Sequence, residues 1–182
     1  MHKKKSLATI SLAGCFGCHM SLLDIDLRFI DLMELVDLHK SPLNDIKTFT
    51  SKVDIGVIEG GVCNDDNVKV LRNFRENCHT LVSLGECAIM GGLPALRNNI
   101  PLEDCLAEAY LNVPTTVKGH HIVPHDQDIP KILDKVYPCH EVVKIDYFIP
   151  GCPPSAETIW QVLNDLIRGK TPQLDYGLIK YD

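Results

Sequence analysis

The sequence predicts an α/β fold built on a parallel sheet, and three observations lead there. Short runs rich in Val and Ile alternate with longer segments of helical period, the pattern of strand–helix–strand units. Five such runs are present, and 182 residues suffice to bury a core without cross-links. No repeat, low-complexity tract or linker divides the chain, so residues 1–182 are expected to form one domain.

The first strand is expected over residues 6–13. The preceding MHKKK and the apolar residues after it imitate a signal peptide. The apolar run is short, lacks an A-x-A-like cleavage site and leads straight into GCFGC, so it is read as a strand of the mature fold. A helix over 19–30 follows, then strands over 33–38 and 53–59, a helix over 65–77 and a strand over 79–84. Between Pro94 and Pro138 the chain carries several prolines and the polar run KGHHIVPHDQD. Two short helices, over 102–111 and 129–136, and a surface loop are expected there. A last strand over 144–149 leads into a helix over 155–168. Ser155 is its expected N-cap, Ile159, Val162, Leu163 and Leu166 form one apolar face, and Gly169 and Pro172 mark its end. Five strands of this kind suit a flavodoxin-like three-layer sandwich, sheet order 2-1-3-4-5, with right-handed crossovers and helices on both faces.

The balance of 18 Lys and Arg against 24 Asp and Glu gives a net charge of −6. Apart from KKK at positions 3–5 the basic residues are scattered, which argues against a nucleic-acid footprint. No uninterrupted apolar stretch is long enough to span a bilayer. A cytoplasmic setting is expected, in which the eight cysteines stay reduced and are read as ligands or core residues before disulfides.

Cys15 and Cys18 follow strand 1 in GCFGC, Cys63 lies just past strand 3 in EGGVC, Cys87 follows strand 4 in SLGEC, and Cys152 follows strand 5 in FIPGCPP. In a parallel sheet these strand ends share one edge, where open α/β sheets bind their ligands. Glycines beside most of these cysteines let main-chain amides approach sulfur. Cys18, Cys87 and Cys152 fall at or just before helix starts, where the dipole is expected to lower a thiol's pKa. Thiolates at Cys15, Cys18, Cys87 and Cys152, from three glycine-rich loops, fit an iron–sulfur cluster. A lone C-x-x-C also fits a redox dithiol or half of a zinc site. Catalytic dithiols need no further cysteines from other strands, however, and structural zinc usually uses two close-spaced pairs where this chain has one. Cys63 lies at the right edge, but a cubane takes four ligands and the other four have better turn chemistry. Cys78, Cys105 and Cys139 are read as small core hydrophobes. With no phosphate loop, no G-x-G-x-x-G and no Ser-His-Asp ordering, no catalytic residue is assigned.

The stretches AGCFGC, VIEGGV, LGECAIMGGLPALR and IPGCPPSAETIW, in that order, resemble the small subunit of NiFe hydrogenases. More distantly they resemble the cluster-bearing 20 kDa subunit of respiratory complex I. The resemblance implies that Cys15, Cys18, Cys87 and Cys152 carry one 4Fe-4S cluster of the proximal type, next to the bimetallic site of a large subunit. The complex I subunit has two adjacent cysteines where this chain has C-x-x-C, which favours the hydrogenase branch. Membrane-bound and periplasmic small subunits have a signal peptide and a cysteine-bearing extension with two further clusters, whereas this sequence has no cysteine after Cys152. The pattern looks like the short small subunit of cytoplasmic NAD-reducing, or bidirectional, hydrogenases, whose partner is an iron–sulfur and flavin-containing diaphorase. By that likeness the chain passes electrons from H2 oxidation to a diaphorase that reduces NAD+. The rival readings are another acceptor (NADP, deazaflavin or quinone) and a zinc-bound assembly module.

The family's NiFe site uses two C-x-x-C motifs and this chain has one, so chemistry on hydrogen is assigned to the partner. His19 and Met20 stand where many hydrogenases have Ser or Thr followed by a Glu implicated in proton transfer. His19 is read first as a first-turn residue at a subunit contact and second as a substitute proton carrier. Glu59 is read as a group bonding near the cluster or the large subunit, or as a partly exposed carboxylate at a strand end. The fold permits an FMN, yet the loop that binds its phosphate in flavodoxins is here GCFGC, and no residues announce one.

Overall fold

The computed structural model describes residues 4–115, 117, 119 and 121–179. Lys3 of the KKK run and Lys118 and His120 of the polar run lie outside them. β1 (Lys5–Ser11) opens the fold, followed by α1 (Gly17–Leu23), α2 (Arg28–Leu35) and the short β2 (Val36–Leu38). β3 (Val53–Glu59) passes through Gly60 and Gly61 into β4 (Val62–Asn64), then α3 (Asp65–Asn77) and β5 (Cys78–Leu84). Next come α4 (Glu86–Met90), a 3-10 stretch (Leu93–Asn99) and α5 (Leu102–Leu106), which runs into a π-helical turn (Ala107–Leu111). β6 (Ile132–Tyr137), β7 (Tyr147–Ile149) and α6 (Ala156–Ile167) follow.

β2, β1, β3, β5 and β7 lie side by side in that order, all parallel. This is the expected order 2-1-3-4-5 once β4 and β6 are left out of the count. Those two pair antiparallel with each other. Alternation along the strands puts Leu7, Val57 and Val82 on one face and Ala8, Ile58 and Leu81 on the other. Helices α1, α2 and α6 cover the first face through Leu22, Leu32, Ile159 and Leu163, while α3 covers the second through Leu71 and Phe74. With both faces covered, the central strands read as near-continuous apolar runs. Ser155 caps α6 as expected, accepting the Thr158 N–H at 3.2 Å. Asn64 caps α3, accepting from Asn67 at 2.8 Å.

Several elements differ from the sequence expectation; the last strand, expected over 144–149, covers only Tyr147–Ile149 as β7. The helix placed over 129–136 is instead strand β6. Ile129, Ile132 and Val136 have helical spacing, but the segment is claimed by β4 and by side chains that serve its main chain. Arg97 donates to the carbonyls of Leu133 and Asp134, and the Asn98 amide bonds both N–H and C=O of Val136 at 2.8 and 2.9 Å. The single helix over 19–30 is broken between α1 and α2 at Asp26, whose φ of 59° is a left-handed conformation that Asp tolerates better than most residues. The strand over 33–38 shrinks to β2, because Met33–Leu35 completes the last turn of α2, leaving Val36–Leu38 to pair with Lys5, Ser6 and Leu7 of β1.

Candidate metal centre

The C-terminal ends of β1, β3, β5 and β7 face one edge, and main-chain bonds tie their loops together. Ala13 and Gly61 exchange N–H···O bonds at 2.8 and 3.0 Å, joining the loops after β1 and β3. Gly85 N–H donates to Ile149 O at 2.8 Å and Glu86 N–H to Gly151 O at 3.1 Å, and the Glu86 carboxylate accepts Gly151 N–H at 3.0 Å. The loops after β5 and β7 are thereby one unit. Ser21 Oγ donates to Pro154 O at 2.5 Å, fastening α1 to the loop before α6.

Four of the cysteines lie along this edge, in the loops and helix starts after β1, β5 and β7. Burial first, and then the charges of Glu59, Cys87, Cys15 and Cys152, push the Cys18 thiol well above its ordinary range. Burial also pushes Cys87 up, with the Leu93 main-chain N–H opposing and Cys152, Cys15 and Glu59 adding to the rise. Each of these two thiols therefore feels the other predicted positions, Cys15 and Cys152, both of which are exposed. The expected lowering by helix dipoles is not what the free thiols show at Cys18 and Cys87. α1 and α4 are only seven and five residues long, and desolvation with mutual repulsion outweighs so short a dipole. Positive charge among the thiols would reverse both effects.

Glycine leaves the space this crowding needs. A side-chain carbon on Gly85, at φ 84°, would lie 2.3 Å from Cys18 Sγ, and one on Gly92, at φ 51°, 2.9 Å from Cys87 Sγ. One on Gly14 would lie 4.0 Å from Cys87 Sγ, which measures how near the first loop comes to the third. Among the described residues, no three His, Cys, Asp or Glu side chains close on one point as the ligands of a single ion would.

The remaining cysteines stand apart. Cys63 sits in β4, where its N–H and thiol both bond Asn67 Oδ1, at 3.1 and 3.4 Å, and it is not among the groups acting on Cys18 or Cys87. Cys78 and Cys139 are buried, and burial pushes each thiol up to about 12. Cys105, in α5, is half-buried.

What sequence reasoning missed lies underneath. His19 is fully buried and Glu59 only 2% exposed, so His19 is not a surface contact of α1 and Glu59 is not a partly exposed carboxylate. His19 Nδ1 hydrogen-bonds Glu59 Oε2, and the His19 main-chain N–H donates to the same oxygen at 2.7 Å. The other ring nitrogen lies 2.9 Å from Thr9 Oγ1, itself 2.7 Å from Ser41 Oγ. The Phe16 ring stacks on the imidazole at 4.6 Å. The signal was Thr9, a polar residue that shares a strand face with core Leu7 and so needs a buried partner.

The sequence family described as NADH ubiquinone oxidoreductase, 20 Kd subunit, matches residues 15–166. The delta subunit of the NAD-reducing hydrogenase HoxS of Cupriavidus necator is 52% identical over 180 residues, 98% of this chain and 86% of that one. A subunit of the F420-non-reducing hydrogenase of Methanothermobacter marburgensis is 36% identical over 96% of this chain, which spans only 57% of that longer relative. A crystal structure of an NAD+-reducing NiFe hydrogenase in the H2-reduced state contains a chain that superposes with a TM-score of 0.96 at 48% identity, covering 99% of this chain and 100% of that one. The chain therefore belongs to the family of the NADH ubiquinone oxidoreductase 20 kDa subunit, and within it to the small subunits of hydrogenases.

Proposed function

We propose that this chain is the electron-transfer small subunit of a cytoplasmic NAD-reducing NiFe hydrogenase, and that Cys15, Cys18, Cys87 and Cys152 hold one 4Fe-4S cluster. The observation that supports the reading is that these four cysteines, from three loops, share the C-terminal edge of the sheet, where glycines make room for sulfur at Cys18 and Cys87. An all-thiolate donor set of this kind fits an iron–sulfur cluster, which supplies one-electron transfer when bound. The chain's own part is positional. Glu86 fixes the peptide before Cys152, and the Ala13–Gly61 bridge fixes the loop leading to Cys15.

Hydrogenase small subunits work against a large subunit, and the surface beside the thiols suits one. Met20 follows Cys18, and Met90, Leu93 and Leu96 follow Cys87, all more than half exposed. That apolar patch supports a permanent interface of the large hydrophobic class. Splitting of H2 would take place on that partner, with electrons passing through this chain to an iron–sulfur and flavin-containing diaphorase and on to NAD+. The likeness to an NAD-reducing enzyme, at 52% identity against 36% for the F420-non-reducing one, supports NAD+ over the other acceptors.

The test is anaerobic purification of the chain with its natural partners, counting iron, sulfide, zinc, nickel and flavin and assaying H2-dependent NAD+ reduction. About four iron and four sulfide on this chain are expected, with nickel only on the large subunit. Zinc without sulfide would overturn the cluster assignment, and H2 oxidation coupled to another acceptor but not to NAD+ would overturn the diaphorase.

A further inference from the structure

Beneath the four thiols lies a buried acid whose geometry is unusually constrained. Glu59 ends β3, and its Oε2 takes two N–H bonds from one residue, the ring Nδ1 and the main-chain amide of His19. That amide belongs to the peptide immediately after Cys18. Thr9 and Ser41, both buried, fix the far side of the imidazole, and Phe16 stacks on its face. Glu59 and His19 are thus a buried, hydrogen-bonded pair. Stability alone does not explain such a pair, since apolar residues of the same volume would commonly serve as well or better. What the pair does achieve is a carboxylate held at a fixed place, 2.7 Å from the amide nitrogen of the peptide that follows Cys18.

Building on the cluster reading above, we infer that Glu59 is a positioning residue for charge: locked by His19, it keeps a negative charge beside Cys18 and lowers the reduction potential of the cluster that Cys18 helps to bind. The physical reason is that reduction adds one more negative charge at that place, and net charge and hydrogen bonding are the protein's main means of setting such a potential. Low local dielectric strengthens the effect relative to a surface carboxylate.

The test uses the purified hydrogenase complex carrying this chain as wild type, Glu59→Gln, Glu59→Asp or Thr9→Val. The cluster's midpoint potential is followed by electron paramagnetic resonance in a redox titration, and iron and sulfide are counted on the same samples. Glu59→Gln keeps a side-chain oxygen for both His19 N–H groups and removes the charge. It is expected to hold its full iron and sulfide and to shift the midpoint to a more positive potential. Glu59→Asp keeps the charge and stays near the wild-type midpoint. Thr9→Val breaks the far end of the network, lowers the thermal midpoint and leaves the potential in place. An unchanged potential in Glu59→Gln, or an equal positive shift in Thr9→Val, overturns the inference. Should Glu59→Gln fail to assemble, Glu59→Ala is read the same way. Failure of both while Glu59→Asp assembles would assign the carboxylate to folding and also overturn the inference. A wild-type complex with no iron–sulfur signal overturns the cluster reading instead.

Discussion

Gly85→Ala puts one methyl group where the candidate centre has least room for it. The added carbon would sit 2.3 Å from Cys18 Sγ. Comfortable contact between such atoms is about 3.5–4.0 Å, so methyl and sulfur must separate by more than about 1 Å. The backbone at φ 84°, ψ 164° compounds the difficulty. That region is essentially reserved for glycine and strains any other residue by about 1–3 kcal/mol. Overpacking a closed site adds about 1–3 kcal/mol, for a total of about 2–6 kcal/mol. Metal–ligand distances tolerate only about 0.2 Å, so Cys18 is displaced from any ligand position before the sheet gives way. The expected variant folds with a lowered denaturation midpoint and carries much less iron than the wild type. Iron and sulfide analysis and chemical denaturation on one preparation read the two effects separately. Wild-type iron content together with wild-type stability would refute the crowding at Cys18 on which the reasoning stands.

The other predictions use the same structure. Cys152→Ser is expected to lose the cluster and H2-dependent NAD+ reduction while Cys63→Ser keeps both, as read by iron content and the coupled assay. Asn98→Ala removes both side-chain bonds to Val136 and is expected to cost about 1–3 kcal/mol, with faster amide hydrogen exchange at Val136 as its signature. Partial burial works to raise the Asp146 carboxyl, but hydrogen bonds from the Arg75 guanidinium at 2.7 Å and the Leu81 N–H at 2.8 Å hold it below its ordinary range. A folded-state pKa below the unfolded one contributes stability above about pH 4 that is lost as pH falls through the folded value. Asp146→Asn should therefore lower stability by about 1–2 kcal/mol at pH 7, with the gap to wild type closing in acid denaturation curves below about pH 4.

The sheet was legible in the sequence because its central strands are buried on both faces, and such strands announce themselves as Val and Ile runs. That these cysteines share one edge of the sheet was legible for a related reason. Each of Cys15, Cys18, Cys87 and Cys152 lies a few residues past the end of a parallel strand, and parallel topology alone brings those ends together. Segments whose fate depends on a distant partner were not legible. Residues 129–136 have helical spacing, and it is β4, with Arg97 and Asn98 far back in the chain, that makes Ile132–Tyr137 a strand. His19 was misjudged because burial in a first helical turn depends on how α1 is rotated against the sheet, which Thr9 and Glu59 decide from two different strands.

The short strand β7 gives the candidate centre an order in time. It has three residues and pairs through Val82, Ser83 and Leu84 of β5, yet its loop carries Cys152. Cys15 and Cys18 leave the ribosome long before it, and the fourth thiol reaches them only after β7 has been made and has docked at the sheet's edge. A nascent chain holding β1 through α4 presents three of the four thiols and an open side. Loading of a centre held by these four cysteines would therefore wait for β7, and a lesion that loosens this strand would be felt at a loop encoded far upstream of it.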